Sequence, residues 1–279
     1  ERANRELARL YEIEQQQNAR LHELNERKSA FLSLVAHELR TPLTGLRGFT
    51  DLLHMHPSEH DPQRERIMTL VVQQVDRLSD LVNELLNLTN IEQQRLTLNC
   101  KPVDLAQLVA DVVERFRLVY PQRMIAFERR AVDCGCLGDT NRLDQVLSNL
   151  IENALKYSPA EYPVEVSIDR ENRNDGVTDY LAISVKDQGI GIAPEDQGRL
   201  FGKFFRAGNA EAYRSGLGLG LFISREIVRQ HGGSITVESA PGQGSTFTLR
   251  LPAGQGATAP VAGSREIEAS ALLGQAREQ

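Results

Sequence analysis

The stretch SLVAHELRTPLTGL, Ser33 to Leu46, sets His37, Glu38, Arg40 and Pro42 into an otherwise apolar helical run. A neutral imidazole with one free lone pair is a nucleophile when a neighbouring base holds the proton on its other nitrogen. Glu38 follows directly and offers that base. Thr41 recurs at helical spacing on the face of His37, and Pro42 removes a backbone donor and can kink the helix one turn on. Taken alone, a histidine in an apolar helix equally fits a packed or solvated residue.

A second chemical cluster lies in DQVLSNLIENALKYS. At helical spacing Asn149 and Asn153 differ by about 40° and share a face, with Lys156 one turn further. Val146, Leu147, Leu150, Ile151 and Leu155 occupy the opposite side. Two amides and an ammonium in a row can offer oxygens to magnesium and a cation to a phosphate, although paired asparagines are also common as surface or capping residues. In VKDQGIGI, Asp187 is an acceptor where a strand becomes a loop, and Gly189 and Gly191 permit close backbone approach to a flat ligand. A structural turn is the other reading of such an Asp-Gly junction. RSGLGLGLFISREIVRQHGG places Gly216, Gly218 and Gly220 immediately before an amphipathic helix, whose N-terminal N–H groups suit a polyphosphate. The spacing matches neither the dinucleotide fingerprint nor the P-loop.

The elements that must carry these groups follow from periodicity. Residues 1–28 read as a weak coiled coil, with Leu7, Leu10, Leu21 and Leu24 on the seam and polar gaps at Glu14, Gln17 and Lys28. Residues 29–95 read as a helical hairpin, broken at HMHPSEHDPQ by its prolines. Its second arm repeats Ile67, Leu70, Val71, Val75, Leu78, Leu81, Val82, Leu85 and Leu88. One such hairpin has too narrow an apolar face to be stable alone, so a homodimer with a four-helix bundle is expected.

Residues 96–103 read as an extended linker, and 104–252 as a second domain of mixed helices and strands. Its helices are expected over 105–118, capped by Asp104, over 141–157, capped by Thr140 or Asn141, and over 218–231. Strands are expected over 124–129, 164–169, 180–186, 234–238 and 245–251, the last two joined as a hairpin by SAPGQG. Elements that do not strictly alternate predict an α+β two-layer sandwich. Residues 253–279 are Gly/Ala-rich at first and expected to be disordered, with a helix over 267–276 left open.

With 279 residues, 41% apolar and 25% charged, the composition is that of an ordinary globular protein. A net charge of −6 without a basic block disfavours nucleic acid. Cys100, Cys134 and Cys136 lack zinc-knuckle spacing and suit a reducing compartment. His54, His56 and His60 lack a carboxylate or thiolate framework and read as solvated, and His231 as a helix C-terminal residue. No apolar run approaches the roughly 20 residues of a membrane span, so a cytoplasmic, soluble piece without direct membrane contact is expected. The start at Glu1 inside a helical pattern suggests a fragment, with room upstream for a membrane or sensor domain.

Together, HELRTPL, the 149–157 helix, DQGIGI, LFGKFFRA (Leu200 to Ala207) and the 216–220 glycines closely resemble the H, N, G1, F and G2 boxes of sensor histidine kinases. These belong to the superfamily shared with gyrase, the Hsp90 chaperones and the MutL repair proteins. The resemblance covers about residues 29–252, and the motifs recur in the right order and spacing.

What it implies is a Bergerat-type ATP-binding sandwich in which Asp187 accepts the adenine amino group and Asn153 binds Mg2+, supported by Asn149. Lys156 and Arg206 face phosphates, Lys203 assists, and Tyr157 packs by the base. Gly216, Leu217, Gly218, Leu219 and Gly220 belong to a mobile lid and the turn cradling the triphosphate. Superfamily members that hydrolyse ATP with water carry a glutamate one turn before the magnesium-binding asparagine. Here Asn149 stands there and Glu152 lies off that face, so the γ-phosphoryl group is expected to go to His37, with Glu38 as base. The catalytic domain then reaches the hairpin through flexibility at 101–105. From there the phosphoryl group passes to an aspartate of a separate response regulator receiver domain. Thr41, in the family's HExxT pattern, implies regulator phosphatase activity as well. The rivals are a phosphatase-dominant or scaffolding relative and a chaperone- or repair-type ATPase clamp.

Overall fold

The computed structural model describes residues 2–55, 62–93, 95, 97–172, 179–208 and 216–254. They form two compact units, Glu1–Leu96 with Arg199–Ile223, and Thr97–Gly198 with Ser224–Gln279.

The first unit is built on helices α1 (Arg2–Met55) and α2 (Pro62–Glu92), which pack together as the expected hairpin. No glycine interrupts α1 before Gly45, and the helix continues through Pro42 without a break. Pro42 cannot donate to the Glu38 carbonyl, while the Thr41 hydroxyl donates to the His37 carbonyl at 3.2 Å. Proline at the first position of α2 wastes no donor there. Ile67, Leu81 and Leu88 of α2 are buried. The seam leucines Leu7, Leu10, Leu21 and Leu24 lie outside the described side chains, while Phe31 and Val35 in the same frame are half-buried. Stretch 199–208 packs in this unit: the rings of Phe31 and Phe204 lie 4.8 Å apart, and Lys203 Nζ is 2.7 Å from Glu92.

The second unit begins with β1 (Lys101–Asp104), α3 (Leu105–Val119), β2 (Ile125–Arg129), β3 (Gly135–Gly138) and α4 (Thr140–Tyr157). It continues with β4 (Val164–Asn172), β5 (Asp179–Asp187) and α5 (Pro194–Gln197). Helix α6 (Gly220–Gln230), β6 (Ser234–Ser239) and β7 (Ser245–Pro252) complete the described chain. Five strands form one sheet in the order β2-β4-β5-β7-β6, parallel only between β2 and β4. Helices α3 and α4 cover this sheet, giving the predicted two-layer sandwich. Burial alternates along β7, with Phe247, Leu249 and Leu251 inward.

On α4 the predicted apolar side is buried, with Val146, Leu147, Leu150 and Ile151 at 0% exposure. Each leucine or isoleucine there contributes roughly 1.5–3 kcal/mol by leaving water. The α4 cap is Asp139, one residue before the expected Thr140 or Asn141. Its carboxylate accepts from the N–H groups of Asn141 and Arg142 at 3.1 and 3.2 Å. Part of the stretch read as a linker is strand: β1 pairs with β3, matching Val103 to Cys136. Of the tail expected to be disordered, Ala253 and Gly254 donate to the Asp179 and Gly135 carbonyls, both at 2.9 Å; the rest, with the open question of a helix over 267–276, lies outside the described residues.

Candidate functional site

In the hairpin, sequence places His37 and Glu38 side by side, and the helix then turns them to different surroundings. The imidazole is 73% exposed and the Glu38 side chain only 11%. Glu38 Oε1 lies 3.7 Å from His37 Nδ1, and its other oxygen lies 3.5 Å from Arg77 Nη2 of α2. An exposed ring backed by a sheltered carboxylate has the form of a nucleophile with its base. A 3.7 Å separation is longer than a hydrogen bond, as is common before a reacting complex tightens. Thr41 is exposed on the same helix, one turn on.

In the sandwich, α4 brings Asn149 and Asn153 together as their spacing predicts. Asn149 donates to Ser224 Oγ at 2.9 Å, and Asn153 donates to the side-chain Oδ1 of Asn149 at 3.5 Å. This chain of amides leaves the Asn153 side-chain oxygen as the acceptor at its end. A hard oxygen donor of this kind fits Mg2+. Lys156 lies over the Tyr157 ring, 5.1 Å from its centroid.

Asp187 ends β5 at 5% exposure. Its Oδ1 accepts the Gly189 N–H at 2.8 Å. Burial pushes its carboxyl above the ordinary value, against the pull of backbone N–H groups from Gly189 and Ser245. The loop after it is wedged against backbone on two sides. A Cβ on Gly189 would collide with the Tyr157 carbonyl, and one on Gly191, at φ 66°, would collide with the Ala240 carbonyl. Ile190 ties the loop to both neighbours, donating to Tyr157 O at 3.2 Å and accepting from Gly242 N at 2.8 Å. The two glycines therefore serve close approach, with only Gly191 held in the left-handed region.

The glycine-rich run shows a division of labour. Gly216 and Gly218 take φ of 98° and 68°, and Gly220 opens α6. Leu217 and Leu219 are buried at 1% and 0%, so their side chains anchor the run and only their backbone can meet a phosphate. A Cβ on Gly218 would lie 2.9 Å from the Phe205 carbonyl, and Phe204 itself has φ 62°. Arg206 is half-buried. The Lys203 ammonium is held by Glu92 and lies 5.2 Å from the Phe222 ring centroid. Residues 209–215 of the expected lid lie outside the described residues.

The remaining candidates resolve simply. His54 is exposed and bonds the Thr50 carbonyl at 2.8 Å, while His56 and His60 lie outside the described residues. Among the described residues no group of His, Cys, Asp and Glu gathers as a metal site. Burial pushes the Cys136 thiol up to about 12, so it packs as an inert apolar group. His231 does more than end a helix: its Nδ1 bonds the Ile227 carbonyl at 2.8 Å, and its Nε2 accepts the Asp139 N–H at 2.9 Å. It thereby ties α6 to the start of the asparagine helix. Burial raises the Asp139 carboxyl, but backbone donors from Asn99, Arg142 and Asn141 outweigh it and hold the group below its ordinary value.

Sequence reasoning missed Arg77, Ser224 and Asp139. Arg77 sits at a level of α2 that counting back from the hairpin turn could have reached. Ser224 comes from an element far along the chain and left no local signal.

Residues 27–94 match the family model of the His Kinase A (phospho-acceptor) domain, and residues 138–255 that of the histidine kinase-, DNA gyrase B- and HSP90-like ATPase. The chain is 33% identical over 249 residues to the sensor histidine kinase WalK of Bacillus subtilis (strain 168), covering 88% of this chain and 39% of WalK. It thus spans about two fifths of the length of the curated relatives it matches. The solved Acinetobacter baumannii histidine kinase AdeS is similar with a TM-score of 0.60 and 29% identity, over 77% of this chain and 97% of that one. The histidine kinase ThkA, solved in complex with response regulator protein TrrA, gives a TM-score of 0.60 at 25% identity, over 88% of this chain and 66% of that one. By these matches the chain belongs to the sensor histidine kinases, and it carries their phosphoacceptor hairpin followed by their ATP-binding domain.

Proposed function

We propose that this chain is a kinase core that phosphorylates His37 from ATP and passes the phosphoryl group to an aspartate of a separate response regulator receiver domain. The observation that carries the reading is the exposed His37 imidazole backed by the sheltered Glu38 carboxylate, on a hairpin matching the phosphoacceptor model. With Nδ1 turned towards Glu38, Nε2 is the nitrogen whose lone pair attacks the γ-phosphorus. The N–P bond forms as the bond to the ADP oxygen breaks, and Glu38 holds the Nδ1 proton. Asp187 accepts the adenine amino group, and Lys156 and Arg206 neutralise phosphates. Asn153 holds Mg2+ with Asn149 steadying its amide, and the ion's positive charge would offset phosphate charge.

Asn149 in place of a carboxylate supports transfer to a side chain over hydrolysis, since an amide cannot take a proton from water. ThkA's complex with its regulator supports a receiver domain as the next acceptor. Thr41 beside His37 supports a regulator phosphatase activity. The hairpin's bare apolar residues support a homodimer, with the bundle completed by a second copy. A cytoplasmic setting supplies the ATP, and the name of WalK supports a sensor in the longer protein. No helix among the described residues is long and apolar enough to cross a membrane.

The test is incubation with γ-labelled ATP and magnesium. Acid-labile, base-stable label is expected on the wild-type chain and none on His37→Gln, which still binds ATP. Label persisting in His37→Gln would refute the reading.

A further inference from the structure

We infer that Arg77 is a positioning residue for phosphorylation of His37, acting through Glu38; this rests on the function proposed above. Glu38 is a carboxylate buried to 8% exposure in a narrow helical hairpin. A carboxylate in that setting needs a partner, and its two oxygens divide the work. Oε2 faces Arg77 Nη2 at 3.5 Å across the helix pair, and Oε1 faces His37 Nδ1 at 3.7 Å. Fixing one oxygen on the second helix leaves only a narrow set of side-chain rotations, and within that set the other oxygen points at the imidazole. The ring is thereby kept with Nδ1 inward and Nε2 outward.

The pair does not look like one kept for stability alone. Among the described residues Arg77 Nε is buried without a hydrogen-bond partner, which costs free energy. The guanidinium is also only 31% exposed, so its attraction for Glu38 is less screened than that of a surface pair. A group held at such a cost beside the reacting pair fits a role in orientation, where misplacement of a reacting group by about 1 Å can cost on the order of a hundredfold in rate. The hydrogen bond that Arg77 makes is to Glu38, so its effect on His37 is expected to pass through Glu38.

The experiment measures the rate of His37 labelling against ATP concentration for the full chain. Wild type, Arg77→Gln, Arg77→Lys, Glu38→Gln and the Glu38→Gln/Arg77→Gln double variant are compared, with the fold checked by circular dichroism. Arg77→Gln is expected to lower kcat about tenfold or more with KM for ATP unchanged, and Arg77→Lys to restore most of the loss. In the Glu38→Gln background the same substitution is expected to change kcat by less than about twofold, because the group it orients is already gone. An unchanged kcat in a folded Arg77→Gln chain overturns the assignment. So does an equal further loss in the Glu38→Gln background, or a loss that falls on KM alone. Should Arg77→Gln fail to fold, Arg77→Lys in the two Glu38 backgrounds decides by the same coupling. If the wild-type chain takes no label on His37, the functional reading fails instead, and the two failures are distinct.

Discussion

The hairpin and the sandwich solve the same problem, holding reactive groups still, in opposite ways. Around α4 the sandwich buries Leu143, Leu147, Leu150 and Ile151 completely, and Ile168, Leu181, Ile183 and Leu249 of its sheet are equally buried. Among the described large apolar residues of the hairpin only Ile67, Leu81 and Leu88 are buried, while Val72, Val75, Val82 and Leu86 stay 54%, 48%, 47% and 57% exposed. The sandwich is complete as one chain, whereas the hairpin has the surface of half a bundle. The chemistry divides in the same way. Asp187 is buried and its loop admits no side chain at Gly189, whereas His37 stands in the open with the Glu38 carboxylate behind it. On the function proposed above, the contrast is between a ligand gripped by depth and an acceptor left within reach.

Breaking the deep side should have the largest effect. We predict that Asn153→Ala lowers His37 labelling at least about a hundredfold, the scale of losing one group that organises charge at a reacting phosphate. Circular dichroism and oligomeric state should stay unchanged; near-normal labelling would remove Asn153 from the site. Gly191→Ala should destabilise the sandwich by about 2–4 kcal/mol, combining a left-handed φ with collision against the Ala240 carbonyl. Denaturant unfolding reads this, and a shift below about 0.5 kcal/mol would show the loop to be loose.

The hairpin side is sharpened by Val82→Asp. In a single chain this exposed site tolerates charge, but in a bundle seam it buries one, so the dimer dissociation constant should rise tenfold or more, on the order of 1–3 kcal/mol. Sedimentation at graded concentration measures it, and an unmoved constant would place the dimer contact elsewhere.

A pH series separates two carboxylates of the sandwich. Asp187 is raised by burial, so its ionised form is disfavoured in the fold, and protonation stabilises the fold as pH falls through its raised pKa. If Asp187 accepts the adenine amino group as proposed, that carboxylate is lost over the same range, so ATP affinity should fall on acidification beginning above the ordinary carboxylate range, and Asp187→Asn should abolish that dependence. Asp139 has the opposite sign. Its lowered pKa gives stability present above the unfolded value and lost as pH falls through the folded one. Asp139→Ala, the smallest effect, should cost roughly 0.5–2 kcal/mol by uncapping α4.

What could be read from one sequence was whatever is local. The asparagine face and apolar back of α4 follow from helical spacing alone, and each strand of the five-stranded sheet announced itself by alternation or β-branched content to within a few residues, whereas β1 was read as linker and β3 was not foreseen. Asp139 was overlooked as a cap because Thr140 and Asn141 beside it are equally good capping types, and geometry chose among them. The pairing of β1 with β3 joins segments far apart in sequence and leaves no periodic trace. Helix α5 is a single turn opened by Pro194, too short for a pattern. The site was legible where its residues share one element, as His37 with Glu38 or Asn149 with Asn153. It was hidden where a second element supplies the partner, as Arg77 does for Glu38 and Ser224 for Asn149.

The most direct measurement is mass spectrometry of the chain after incubation with ATP and magnesium, kept above acidic pH throughout. The phosphate is expected on the His37 ring and nowhere else. A phosphorylated side chain elsewhere with His37 unmodified would contradict the central claim that this imidazole is the acceptor.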